Sequence, residues 1–243
     1  LVLRRTPLKI LSAWVAGGLL GVLPCLIYHQ LAFGSPLATG YAFKADHWHA
    51  IVHSSGFMGI TAPTPEHLWG ILGSAKRGVF FFCPLLLLVP VGLKHMGRRA
   101  AFPLAALCLL YIAFAGGFVD WQAGWSAAAR HLLPAILLSF VPLSVGLIKT
   151  AQCPRWAWTI PVLAGASLAG GWLSLAVSPF FPEHFSSPLA QLVIPSLLSG
   201  HGAPTALSAA GSPSSVGVVL SAGLGALALT GWALVKISAH RST

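Results

Sequence analysis

Charge is what this sequence has least of. Only 7% of its 243 residues are charged and just four are acidic, against 56% that are hydrophobic. A soluble domain carries about 25% charged residues, so this chain cannot clothe a surface that faces water. Cysteine is scarce as well. Cys25, Cys83 and Cys108 fall in separate apolar runs, Cys153 stands apart, and no CxxC pair occurs. That excludes a disulfide scaffold or a zinc framework, and the thiols read as small hydrophobes. No GxSxG, P-loop or dinucleotide-binding fingerprint is present. Ionisable residues are nearly missing from the apolar runs, apart from His29 near one end of the first, which argues against ion-coupled transport.

What is abundant is apolar sequence in runs of membrane length, with a mean hydropathy of +0.81. A helix of about 20 apolar residues crosses a hydrocarbon core about 30 Å thick, and only helices or closed barrels satisfy the backbone there. The pattern predicts an all-α, polytopic transmembrane helical bundle over residues 1–243, read as a single domain of about six spans. The expected spans are 10–33, 78–93, 100–119, 132–148, 156–177 and 216–237. The first follows Arg4, Arg5 and Lys9 as a signal peptide would. Its apolar stretch exceeds the usual 7–15-residue core of such peptides, so it reads as an anchor.

The basic residues set the orientation. With the N-terminus inside, ten of the fourteen are cytoplasmic: Arg4, Arg5, Lys9, Lys94, Arg98, Arg99, Lys149, Arg155, Lys236 and Arg241. Lys44, Lys76, Arg77 and Arg130 remain outside. The positive-inside rule therefore places both termini in the cytoplasm. The formal charge of +10 does not point to nucleic acid, because the cations sit at span ends rather than on one face. Membrane lipids are the expected surroundings.

All four acids (Asp46, Glu66, Asp120 and Glu183) fall on the outer side in this topology. Three outer loops result, 34–77, 120–131 and 178–215. The first is too long for a plain connector. Its DHWHAIVH run puts Asp46, His49 and His53 on one face if helical, a spacing that can chelate a divalent metal. The alternative is a solvated histidine cluster. Lys76 and Arg77 stand just before the second span, where a basic pair holds a lipid phosphate or simply snorkels to the headgroups. In DWQAGWSAAAR, Arg130 suits bidentate binding of phosphate or carboxylate, and Asp120 serves as a base or pairs with it. The Ser- and Pro-rich third loop is read as a connector.

Three of these segments resemble a known family. GSPLATGY, SAKRGVFFFCPLLLL and DWQAGWSAAARHLLPAILL resemble the patterns FGSPxxTGY, SPxRGLFxxSP and WxGGWSxGPRxLLP. Those belong to the later half of bacterial multi-span C-type-fold glycosyltransferases, the group that includes dolichyl-phosphate-mannose–protein mannosyltransferase-like membrane proteins. The likeness covers about residues 30–145. It implies a glycosyltransferase that takes a polyprenyl-phosphate-linked sugar at the non-cytoplasmic face of a bacterial inner (plasma) membrane and passes it to an acceptor. Lys76, Arg77 and Arg130 would then bind the lipid phosphate, with Tyr41, Trp121 and Trp125 in the substrate loops. Ala123 and Ala128–Ala129 stand where the pattern has Gly and Gly-Pro. The family's catalytic aspartate lies in a first outer loop, ahead of several spans this chain lacks. The chain is therefore expected to be the C-terminal part of such a protein, and the acids left for catalysis are Asp120 and Asp46. The alternative is a non-catalytic accessory or transport subunit with a partner membrane chain.

Overall fold

In a computed structural model the chain is described over residues 8–38, 40–43, 51–52, 54–57, 59–178 and 180–203, with residues 223, 225 and 231. The described residues are helical with irregular connections, and the sole bridge among them joins Phe57 to Ile60. By its internal contacts the chain divides into two compact units, Leu1–Thr61 and Ala62–Thr243.

The first unit is built on α1, Leu8–Phe33, apolar on every side and without a polar stripe. Its end is marked by Gly34 at φ +73°, whose N–H closes on the carbonyl of Gln30 at 3.0 Å. That is the left-handed stop glycine supplies at no steric cost. Phe33 then stacks on Phe43 with centroids 5.1 Å apart, folding the 3₁₀ turn Gly40–Phe43, which includes Tyr41, against the helix end. Asp46, His49 and His53, the expected metal-binding and catalytic group of this loop, lie outside the described residues.

The second unit opens with α2, Pro65–Leu72. Thr64 caps it by accepting from the backbone N–H of His67 at 3.2 Å, Pro65 holds the first position, and Glu66 faces the positive end of the dipole. The stretch expected as one span over 78–93 is instead broken into α3 (Val79–Phe82), a 3₁₀ turn (Pro84–Leu88) and α4 (Val89–His95). Pro84 causes the break, since it has no N–H to return to the preceding turn. The N–H of Leu85 leaves the helix and donates to Ser167 Oγ at 2.9 Å. Such a side chain keeps a broken helix satisfied where water is absent.

The long helices follow: α5 (Arg98–Gly116), α6 (Leu133–Ala151), the short α7 (Pro154–Ala157) and α8 (Thr159–Val177). A π-turn at Leu189–Val193 and α9, Ile194–Leu198, follow. Among the described residues, four stretches are long and apolar enough to cross a membrane: Leu8–Phe33, Arg98–Gly116, Arg130–Ala151 and Pro154–Val177. The expected sixth span, 216–237, falls outside the described residues except at 223, 225 and 231.

Packing in the second unit rests on close backbone approach. A Cβ on Gly92 of α4 would strike the carbonyl of Pro142 on α6, and one on Gly146 would strike the carbonyl of Leu88. Small residues let helices meet this closely, the usual device where lipid removes the hydrophobic drive for association. Ile71, Val79, Leu86, Leu132, Leu143 and Ile160 fill the space around this crossing. A second cluster, Phe82, Phe181 and Val193, ties the segment after α8 to α3.

Candidate functional site at the meeting of three loops

Arg77 organises one end of the second unit. It is wholly buried, at 0% exposure. Its Nε donates to the carbonyl of Gln122 at 3.2 Å, and its Nη1 to the carbonyl of Lys76 at 3.1 Å. Its Nη2 donates to the carbonyls of Gly124 at 3.2 Å and Phe181 at 2.7 Å. Its own carbonyl accepts from Ala129 N–H at 3.0 Å, and its N–H donates to Ser74 Oγ at 3.1 Å. One side chain thus joins the connection 73–78 to the loops after α5 and after α8. Four of the five guanidinium donors are spent on carbonyls, so Arg77 frames the site rather than facing it.

The loop 117–132 is shaped to match. Ala123 N–H closes a turn on the carbonyl of Asp120 at 3.1 Å, with Ala123 at φ +61° and Gly124 at φ +64°. Ser126 Oγ donates to the carbonyl of Ala128 at 2.8 Å, and Arg130 N–H donates to the same carbonyl at 2.8 Å. Ala129 sits at φ −69°, a value proline would share, but proline could not donate to Arg77 as Ala129 does.

Trp121 fills the gap between this loop and α2. A Cβ on Gly70 would run into its ring, and His67 lies beside it at 6.1 Å between centroids. Lys76 Nζ stands 5.8 Å from the ring centroid, within cation–π reach. Trp125, by contrast, is 61% exposed next to Gly124.

The charged groups gather here. Arg130 is exposed, while Lys76, Asp120 and Glu183 are half-buried. A Cβ placed on Gly124 would lie 3.8 Å from Arg130 Nη2 and 3.8 Å from Glu183 Oε1, so opposite charges flank that glycine. Burial, and then the nearby Arg77 guanidinium, lower the pKa of Lys76; Glu183 and, less strongly, Asp120 raise it. Burial also lowers the pKa of Arg77 against the same two carboxylates. Arginine nevertheless keeps its proton at any working pH.

The structure therefore brings together Lys76, Arg77, Asp120, Trp121, Trp125 and Arg130 from the sequence-derived set. It adds two residues that sequence reasoning passed over. Glu183 comes from the loop read as a connector, and its one sequence signal was being one of only four acids. Gln122 carries a side-chain oxygen, Oε1, that is buried without a hydrogen-bond partner.

Leu72 and Val79, which flank the connection 73–78, line an apolar cavity of about 260 Å³. Leu132, two residues after Arg130, lines it as well, together with Leu93 of α4 and Ala105 and Cys108 of α5. Apolar helices of membrane length point to an integral membrane protein, and the charged cluster lies on the connections between its helices. Compared with protein-family models, curated sequences and solved structures, the chain matches none.

Proposed function

We propose that this protein binds a polyprenyl-phosphate-linked sugar at the non-cytoplasmic face of a bacterial inner membrane, as the C-terminal part of a glycosyltransferase. The carrying observation is that the connection bearing Lys76 and the loop bearing Arg130 run straight into Leu72, Val79 and Leu132, which line an apolar cavity shared with two helices of membrane length. An isoprenoid phosphate has that same division, a long apolar chain ending in a negative head. Arg130 would grip phosphate oxygens as a planar fork and Lys76 as a point charge. Arg77 would serve by holding the loops from which both project. Asp120 and Glu183 are the acids within reach of this centre, and either would take the proton from an acceptor hydroxyl.

The orientation belongs to the same reading. Three loops that Arg77 joins all fall outside in the positive-inside assignment, and Lys94, Arg98, Arg99, Lys149 and Arg155 lie at the opposite helix ends. About six spans with both termini cytoplasmic follow once the broken 79–95 segment and residues 216–237 are counted.

Binding of undecaprenyl phosphate in nanodiscs tests the site. Arg130→Lys, Arg130→Ala and Lys76→Ala should each weaken it about ten- to a hundredfold, the worth of one charge-assisted contact. Arg130→Lys matters most, because an interfacial anchor tolerates that change and a bidentate grip does not. Wild-type affinity in all three variants would remove the phosphate site.

A further inference from the structure

We infer that Leu189–Leu198 is a re-entrant helix, which dips into one leaflet of the bilayer beside the end of α8 and turns its outer face to lipid acyl chains. The inference is independent of the lipid-phosphate reading and needs only that α8 spans the membrane.

The first observation is that the chain leaves and returns at the same end of α8. The helix stops at Val177, and 26 residues later the N–H of Ala203 donates to the carbonyl of Ala176 at 2.7 Å. Whatever lies between enters and exits on one side of the membrane. No aspartate, glutamate, lysine or arginine occurs from 184 to 203. The apolar helix within it extends about 15 Å at about 1.5 Å per residue, half of a hydrocarbon core about 30 Å thick. A stretch of this length cannot cross, and it fits a segment that goes part of the way.

The second observation is how its two ends are closed. Gln191 Oε1 accepts from the Ser187 N–H at 2.9 Å and from Ser186 Oγ at 3.3 Å, over the first turn. At the other end Ser199 Oγ reaches the carbonyls of Pro195 and Ser196, each at 3.0 Å. Gly200 then turns left-handed at φ +81°, and the N–H of His201 returns to the Ser196 carbonyl at 2.8 Å. A short helix in water leaves such groups to solvent, whereas one in lipid has to close them from within the chain.

The third observation identifies what covers the outer face. On the inner side Val193 is fully buried with Phe82 and Phe181, and Leu173 and Val177 from the last turns of α8 pack on the same cluster. The short helix thus sits level with those turns, where Leu175 of α8 is itself exposed. On the outer side Ile194 and Leu198, four residues apart on one helical face, are 47% and 84% exposed. An apolar face continuous with the flank of a spanning helix meets the same surroundings as that helix. Because Phe181 also accepts from Arg77, a helix seated in lipid here ties the loops framed by Arg77 to the bilayer surface.

Spin labels read the depth directly. In a cysteine-free background, Leu175→Cys, His184→Cys, Ile194→Cys and Leu198→Cys are labelled with a nitroxide. The protein is placed in phosphatidylethanolamine–phosphatidylglycerol vesicles, and collisions with oxygen and with a water-soluble nickel chelate are compared. Labels at 194 and 198 should favour oxygen, as the label at 175 does, and should lose most of the nickel broadening seen at 184. Nickel-dominated collisions at 194 and 198 would put the helix in water and overturn the inference. Shielding of both labels from both reagents would overturn it too, by showing that protein, a second copy or a partner chain, covers this face. Nickel-dominated collisions at 175 would remove α8 from the membrane and the inference with it.

Discussion

The guanidinium of Arg77 donates a 2.7 Å hydrogen bond to the carbonyl oxygen of Phe181, and both residues are fully buried. That contact spans 104 positions of sequence and joins the connection before α3 to the loop after α8. The same Nη2 holds Gly124, so a single planar group sets the spacing of two loops. Lysine offers a point charge in place of this fork. Arg77→Lys should therefore destabilise the protein by about 3 kcal/mol or more, since two or more buried carbonyls lose their donors. Arg77→Met should cost at least as much. Thermal unfolding in detergent reads both, and a wild-type midpoint for Arg77→Met would show that the loops are held by something else.

The long helices were legible in the sequence because their apolar runs are uninterrupted and of membrane length. Arg98–Gly116 and Thr159–Val177 lie over runs that hydropathy alone marks out. The break at Cys83–Pro84 was not legible from hydropathy, which sees CPLLLLVP as one greasy stretch and takes no account of a missing N–H. Nor could composition tell Lys76 from its neighbour. Two adjacent cations read alike at the end of a span, yet one turns inward to four carbonyls and the other stays at the rim. Glu183 was hidden for a different reason. Its loop lies far along the chain from 120–130, and only the fold reveals that Arg77 brings the two together.

Ala123 carries strain that its neighbours enforce. It is 1% exposed and holds φ +61°, a conformation that costs a residue with a Cβ about 1–2 kcal/mol. Ala123→Gly relieves that strain but gives up a buried methyl and frees the unfolded chain, so its net effect should stay within about 1 kcal/mol. A β-branched residue is a far worse occupant of this region. Ala123→Val should lower stability by about 2 kcal/mol or more, through both backbone and overpacking. Parallel melts of the two variants check this. Equal midpoints for glycine and valine would mean that the loop does not adopt this turn.

The orientation can be tested one residue at a time. In a cysteine-free background, Ser55→Cys, Trp125→Cys and Thr205→Cys should react with a membrane-impermeant maleimide added to intact cells. Gly97→Cys and Gln152→Cys should react only after the membrane is opened. The reasoning is that positive residues next to short loops keep those loops in the cytoplasm, and Lys94, Arg98, Arg99, Lys149 and Arg155 flank positions 97 and 152. The reverse labelling pattern would place Lys76 and Arg130 on the wrong side for the proposed donor.

Lys76 makes the site sensitive to alkaline pH. Its burial, followed by the charge on Arg77, lowers its pKa below the 10.5 of a free lysine, and Glu183 and Asp120 oppose this only in part. In the window between the lowered value and 10.5, the unfolded chain binds more protons than the folded one, so this group makes folding more favourable as pH rises. Phosphate binding runs the other way. The ammonium form attracts the ligand and is lost as pH climbs through the lowered pKa, earlier than for an exposed lysine. Affinity for undecaprenyl phosphate should therefore fall within that window while the fold is retained. Lys76→Arg should hold its affinity across the same range, because a guanidinium keeps its charge. Titrating binding against pH for wild type and Lys76→Arg measures the difference directly. Superimposable curves would take Lys76 out of contact with the phosphate and leave Arg130 as its sole charged holder.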